Sequence, residues 1–556
     1  MNLQKMTALS LVSILAMPLI GEEKVDLAAI HKIKHEAFQN SKVMETMFWL
    51  TDANGHRLAG SPGYKKAGDW AVTRMKEFGL TNVKQEKWGP FGKGWTYTHY
   101  EGHMIEPSYS PLIGFPLAWT AGTNGVVTGE PILTTLANDA DLAKWKGKLK
   151  DKIIMTEALK DQNMITAAPA KRWTEAELQN ESMAPDPGLA RGPRGGGPPA
   201  PGGRPARAGA PGAPADPMAA FQNMRAFRNK LQKFLAEEGP AVILQPGSGN
   251  STGGTVFGSG GGGRDAKDAV VPCTIALTPE HYNRIVRLID HKVPVKLEFN
   301  VKAEFTDAAD SFNVIGEIPG TGKHKDEVVM IGAHLDSWHG GTGATDNAAG
   351  SSVMLEVMRI LKESGLKLDR TIRIGLWGGE EEGLLGSRAY VREHVADSRT
   401  MKTTEQHEKF AGYFNIDNGT GKIRGIYLQG NDMVQPIFEA WLAPFKDLGA
   451  TTTTIRDTGG TDHQSFDGVG LPGFQFIQDE VEYNQRTHHS NMDVYDRIQK
   501  GDMMQISAIV ASFVYNTANR EEKLPRKPLP KPTPDRNFDG PPTPAAPTSG
   551  SGSPAK

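Results

Sequence analysis

The chain has 556 residues and a formal net charge of −2, so no electrostatic case exists for nucleic acid or an anionic membrane surface. Its length suffices for two or more domains around a large core. The lone cysteine, Cys273, excludes an internal disulfide framework and any zinc site built from thiolates, and it reads as a buried small apolar residue.

Taken in order, residues 1–21 read as a signal peptide. Lys5 precedes an apolar run from Met6 to Ile20, too short to cross a hydrocarbon core of ~30 Å. The cleavage signal near Gly21 is imperfect because Leu19 is large. Export to a periplasmic or extracellular space is the expectation, and no later segment is apolar enough to span a membrane. Residues 22–110 open a mixed α/β domain, with a turn-rich stretch at Leu58–Gly63 and a helical pattern from Tyr64 to Phe78. From 111 to 300 short β-like runs take over, including Gly125-Val126-Val127, Lys152–Met155 and Ala241–Leu244, separated by glycine-rich turns. They predict a β-rich second domain. Within it, residues 184–217 are Pro, Gly, Ala and Arg with almost no large apolar side chain, a composition that predicts a disordered insertion.

The α/β pattern returns over 301–520. Val328–Gly332, Thr371–Trp377 and Tyr413–Ile416 predict strands; Gly350–Leu361, with Val353, Val357, Ile360 and Leu361 on one face, and Gly383–Val395 predict helices. Residues 521–556 run to Pro, Lys, Ser and Gly and predict a disordered tail. The expected fold class is α/β, a mixed central sheet flanked by helices with an inserted β-rich domain.

The chemistry gathers at the predicted strand ends. His334 closes one strand, where open α/β sheets place ligands. Asp336, two residues on, suits an acceptor that orients the imidazole. Asp346 follows a glycine-rich approach and precedes a helix, a position from which it could bridge two metals. Glu380, Glu381 and Glu382 follow a buried-type strand. Three adjacent acids repel one another, and a cation is the economical reason for them to converge; one carboxylate can bind metal while its neighbour takes a proton from water. Asp417 ends a third strand. Thr487-His488-His489-Ser490-Asn491-Met492-Asp493 offers two histidines, either of them a candidate ligand, with Asp493 placed to hold the segment. Together the imidazoles and carboxylates fit a two-zinc site. The polar turn Gly460–Phe466, with His463, is a candidate for substrate contact.

At these residues the chain resembles the M28 family of zinc exopeptidases, most of all its plasma glutamate carboxypeptidase branch. The resemblance covers His334 to Asn347, Glu380 to Ser387, Asp417 and the His488-His489 segment, and more weakly Gly60–Gly63. It implies that His334, Asp346 and Asp417 hold one zinc, that Asp346, Glu381 and His489 hold the other, and that Glu380 is the general base. It also implies a cis Asp346–Asn347 peptide and identifies the inserted domain with a protease-associated domain. Ser490 stands where the family pattern has Thr, which keeps the hydroxyl. His463 and Tyr483 are candidate donors to the oxyanion. The function implied is hydrolysis of dipeptides or short peptides with two Zn2+ as cofactors. Peptide is then the expected partner, and a homodimer is compatible with the sequence.

Gly249-Asn250-Ser251-Thr252-Gly253 matches a serine nucleophile elbow, but that elbow must lead into a helix and here it leads into Thr-Gly-Gly-Thr. An inactive peptidase-like binding protein is opposed by the complete set of ligands and base. A zinc-dependent glutaminyl cyclase is opposed by the inserted domain and the two-metal set.

Overall fold

Along the Val328–His334 strand, Val329, Ile331 and Ala333 bury in one cluster and Met330 in another, the period-2 alternation of a strand covered on both faces. A computed structural model of the chain describes residues 23–533 apart from 163–165, 167, 188–216, 250 and 309. The expected signal peptide, nearly all of the 184–217 insertion and the tail beyond 533 lie outside the described residues.

The central sheet has eight strands in the order Thr81–Trp88, Ser311–Ile318, Thr371–Trp377, Val328–His334, Phe410–Asn415, Gly473–Gln478, Ile423–Tyr427 and Thr452–Thr454. The third to sixth of these run parallel, so their carboxyl ends share one edge. The first two are antiparallel to their neighbours. The fold is therefore α/β with a mixed sheet. On one face lie the helices Ala349–Glu363 and Lys500–Asn519, with Leu27–Gln39 outside them. Lys500–Asn519 is buried nearly all round, as a helix sandwiched in a core must be. Each fully buried aliphatic side chain in such a cluster contributes roughly 1.5–3 kcal/mol. The helix Pro62–Glu77 starts where the sequence signals it: Ser61 accepts from the Tyr64 amide, with proline in the first turn.

A long antiparallel ribbon leaves this sheet. Gly92–Glu106 pairs with Lys296–Ala308, continuing the ladder in which Trp88 faces Ser311. The ribbon carries the inserted unit, whose five-stranded sheet has the order Gly114–Pro116, Thr274–Leu277, Val242–Pro246, Ile153–Met155, Pro131–Leu133. All but Gly114–Pro116 are parallel in it. The unit is less purely β than its sequence suggests, because the helices Pro217–Glu238 and Pro279–Asp290 belong to it. Cys273 is buried in its core.

Two expectations are corrected. Residues 168–187 do not stay with the inserted unit. Lys171 and Val481 exchange both backbone hydrogen bonds, Arg172 bonds Asp479 and Asp502, and Leu178 packs with Tyr427 and Ile477. Nor is the tail free from residue 521. Leu524 is buried, Arg526 donates to the carbonyls of His407 and Phe410, and Lys527 pairs with Asp467. Short polar stretches dock here through a few anchors that composition does not reveal. Among the described residues no helix is long and apolar enough to cross a membrane.

Candidate metal centre

The parallel strands deliver His334, Glu380 with Glu381, and Asp417 to the same sheet edge. Behind Glu380 the chain must turn tightly. A Cβ on Gly378 would lie 2.1 Å from the Tyr64 hydroxyl and 2.6 Å from the Phe312 carbonyl, so only glycine fits. The Asp346–Asn347 peptide is cis. Asn347 donates to the Ile416 carbonyl and accepts from the Gly350 amide, joining the Asp346 loop to the Asp417 strand and to the start of the following helix.

The side chains converge on Asp346. Its Oδ1 lies 3.2 Å from His334 Nε2, which is itself 3.4 Å from Asp417 Oδ1 and 3.9 Å from Glu380 Oε2. Its Oδ2 lies 3.2 Å from His489 Nε2, and that nitrogen is 2.9 Å from Glu381 Oε2. Ligand atoms of His334, Asp346 and Asp417 form one group of three within 4.8 Å, and those of Asp346, His488 and His489 form a second. His488 stands farther from Asp346, at 3.7 Å, with its ring stacked on Tyr483. Of the two histidines, His489 is the one that also meets Glu381.

His334 Nε2, Asp346 Oδ2 and Glu381 Oε1 are buried without a hydrogen-bond partner. Atoms this close that do not bond to one another point at shared space. A set of imidazoles and carboxylates without thiolate, buried and orphaned, fits a divalent ion such as zinc.

The pocket carries excess negative charge. Burial pushes Glu380 well above the usual carboxyl range; His334 opposes this, while Asp417, Asp462 and Glu381 add to it. Glu381 is pushed up to about 7 by burial and by Asp346, against the pull of His489. Burial alone would lower His334, but Asp417 and Glu380 raise it well above the ordinary imidazole value.

Supporting groups fix this geometry. Asp336 accepts from the amides of Glu380 and Glu381, with Oδ1 3.7 Å from His334 Nδ1; that nitrogen also meets the Asp336 carbonyl. Asp493 accepts from the amides of Thr345 and Asp346. Arg57, fully buried, donates to the carbonyls of Leu50, Leu335, Thr342 and Gly343, and so ties the loops after His334 and before Asp346. Sequence reasoning missed Arg57; its only signal was its place just before the turn-rich Leu58–Gly63 stretch.

Asp462 was missed as well. It is buried, with neither carboxylate oxygen hydrogen-bonded, and is pushed up to about 7 by burial, with His334 opposing and Asp417 adding. Its neighbour His463 behaves differently. That ring holds Nε2 against the Thr458 carbonyl, and burial lowers it to about 4 with no site carboxylate acting on it. Nδ1 of the same ring is buried without a hydrogen-bond partner. Tyr483 does lie in the field of the site: burial and then Asp346, Asp417, Glu381 and Glu380 raise its phenol. Glu382 is drawn in too, with both oxygens buried and unbonded. Ser251, the serine of the elbow-like motif, bonds the Ser248 carbonyl and accepts from the Phe257 amide, the work of a turn.

Residues 313–514, which contain His334, Asp346, Glu380, Glu381, Asp417 and His489, match the model of peptidase family M28. The chain is similar to carboxypeptidase Q of Rattus norvegicus, 30% identical over 253 residues, 46% of this chain and 51% of the relative. It is 32% identical over 220 residues to aminopeptidase YwaD of Bacillus subtilis strain 168, covering 38% and 46%. The chain thus spans about half the length of the curated relatives it matches. Among solved structures, a peptidase M28 precursor from Shewanella amazonensis SB2B shares the fold over 91% of this chain and 98% of that one, at 24% identity and a TM-score of 0.60. BSAP, a zinc aminopeptidase from Bacillus subtilis, does so over 86% and 95%, at 20% identity and 0.52.

Proposed function

We propose, from the match of residues 313–514 to the model of peptidase family M28, that the chain is a member of that family and a two-zinc exopeptidase acting on dipeptides or short peptides. The observation that carries the reading is the two-faced Asp346 carboxylate, one oxygen toward His334 and the other toward His489. His334, Asp346 and Asp417 would hold one ion, and Asp346, Glu381 and His489 the other. Zinc supplies Lewis acidity toward a peptide carbonyl and toward water.

Glu380 acts as the base. Its carboxylate stands beside the ligand set, with Oε2 3.9 Å from His334 Nε2, where a base can take a proton from water and hand it to the leaving amine. Such a group is worth typically ~10²–10⁴ in rate. Asp336 keeps the Glu380–Glu381 turn and the His334 ring in register, and Asp493 does the same for Asp346. Tyr483 is the donor we favour for the oxyanion. We read residues 111–300, apart from the 168–187 stretch that docks on the catalytic unit, as a protease-associated domain, and residues 1–21 as an export signal.

The test is a dipeptide library incubated with zinc-loaded protein. Release of free amino acids, abolished by a chelator and by Glu380→Gln, supports the reading. Metal-replete wild-type protein that hydrolyses no member of the library overturns it.

A further inference from the structure

His489 hangs between two anchors that belong to different units. On the catalytic side Asp493 holds the segment, its carboxylate accepting from Thr345 and Asp346 and its carbonyl from the Thr342 amide. On the other side the holder is Asn491, and what it grips is a loop of the inserted unit. The Asn491 amide donates to the Val256 carbonyl. Its side-chain Oδ1 accepts from the Val256 amide at 2.7 Å, and its Nδ2 donates to the Gly254 carbonyl at 3.0 Å. The same loop reaches His489 itself: the Gly258 amide donates to the His489 carbonyl at 3.0 Å, and Phe257 forms an antiparallel bridge with Ser490. Trp119 of the inserted unit stands edge-on to Trp338, which in turn stands edge-on to His489.

His489 sits at φ +62°, in the left-handed region that a non-glycine residue keeps only when its surroundings enforce it. Here the enforcing bonds come in large part from the Gly254–Gly258 loop. His334 is different. It ends a central strand, and its partners Asp336 and Ser351 both belong to the catalytic unit.

We propose that Asn491 is a positioning residue that couples docking of the inserted unit to the metal position built on His489, and not to the one built on His334. The inference rests on the two-zinc reading above. Without the Asn491 side-chain carboxamide, which bonds Val256 and Gly254, the loop loses its grip, the His489 backbone relaxes toward an ordinary conformation, and the imidazole leaves Glu381 and the outer oxygen of Asp346. The His334 position keeps its geometry. The inserted unit thereby becomes part of the metal site rather than a cover placed over it.

The experiment uses the full-length chain and zinc itself as the probe. Stepwise zinc affinities are measured by chelator competition for wild type, Asn491→Ala, Asn491→Asp and Gly258→Ala, with amide exchange over residues 486–492 followed in the metal-free protein. Asn491→Ala should weaken one zinc by about 10–100-fold, the usual effect of removing a group that orients a ligand, and leave the other unchanged. Exchange over 486–492 should rise in parallel. Asn491→Asp keeps an acceptor for the Val256 amide and should fall between. Gly258→Ala disturbs the loop from its own side, since the added carbon would sit 3.0 Å from Leu117 and 3.2 Å from the Phe115 ring, and should reproduce the selective loss. Equal weakening of both ions, or two ions held at wild-type affinity in Asn491→Ala, overturns the proposal. If wild-type protein takes up only one zinc, the two-zinc reading falls instead; unchanged exchange over 486–492 in Asn491→Ala would then still refute the clamp.

Discussion

Asp346 Oδ2 lies 3.2 Å from His489 Nε2, as far as the other oxygen of the same carboxylate lies from His334 Nε2. One side chain therefore serves two clusters, and its loss should be felt in both. Asp346→Asn is expected to weaken both zinc ions together, whereas Asp417→Asn, which touches only the His334 side, should weaken one. Stepwise zinc titration of the two variants distinguishes them. Retention of one tight zinc in Asp346→Asn would show that the carboxylate is not shared.

On the proposed reading, the neighbours Glu380 and Glu381 have separate duties. Glu381 meets His489 at 2.9 Å, while the Glu380 oxygen nearest to His334 is 3.9 Å away. Glu380→Gln should keep zinc near wild-type occupancy and lower kcat by about 10²–10⁴. Glu381→Gln should lose zinc. Metal analysis alongside kcat checks the assignment, and the opposite pattern would mean the two roles are exchanged.

Part of this site was legible in the sequence, because His334, Glu380, Glu381 and Asp417 sat at or just after predicted strand ends and parallel strands gather such ends on one edge. Asp346 and the Thr487–Asp493 segment were marked by local pattern, while the choice of His489 over His488 and the separate roles of Glu380 and Glu381 came from the family resemblance. Arg57 was not legible: its meaning comes from carbonyls of Leu335, Thr342 and Gly343 far along the chain. Asp462 and His463 are adjacent and both buried, yet one faces the site and the other the Thr458 carbonyl, a choice that turn geometry makes and composition does not. The docking of residues 168–187 on Asp479 and Val481 escaped for the same reason. A polar stretch with one tryptophan and one leucine does not show which unit it packs against until the surface beneath it is known.

Acid should destabilise the fold through its buried neutral histidines. Burial lowers His339 to about 3, with His56 beside it adding to the effect, and its Nε2 meets the Pro116 carbonyl. The unfolded chain protonates this ring below about 6.5 and the folded chain only near 3, so stability rises with pH between those values. The contribution is fully present above about 6.5 and is lost as pH falls toward 3. His339→Gln should flatten the fall of Tm between pH 6.5 and 4. An unchanged slope in that variant would show that this ring does not carry the dependence.

The start of the C-terminal tail should matter for stability. Leu524 is 2% exposed, and Leu524→Ala should cost about 2–5 kcal/mol, as expected for a buried leucine. Arg526→Ala removes the donor to the carbonyls of His407, Glu408 and Phe410 and should cost about 1–3 kcal/mol. Chemical denaturation of the full chain measures both. Wild-type midpoints in both variants would return these residues to the status of a free tail.

The proposed metal centre requires that two ions share the Asp346 carboxylate. Crystals of zinc-replete protein, with an anomalous difference map recorded at the zinc edge, test it most directly. Two peaks are expected about 3.5–4 Å apart, one beside His334 and Asp417 and the other beside Glu381 and His489, with Asp346 between them. A single peak, or a second peak bound away from Asp346, would contradict it.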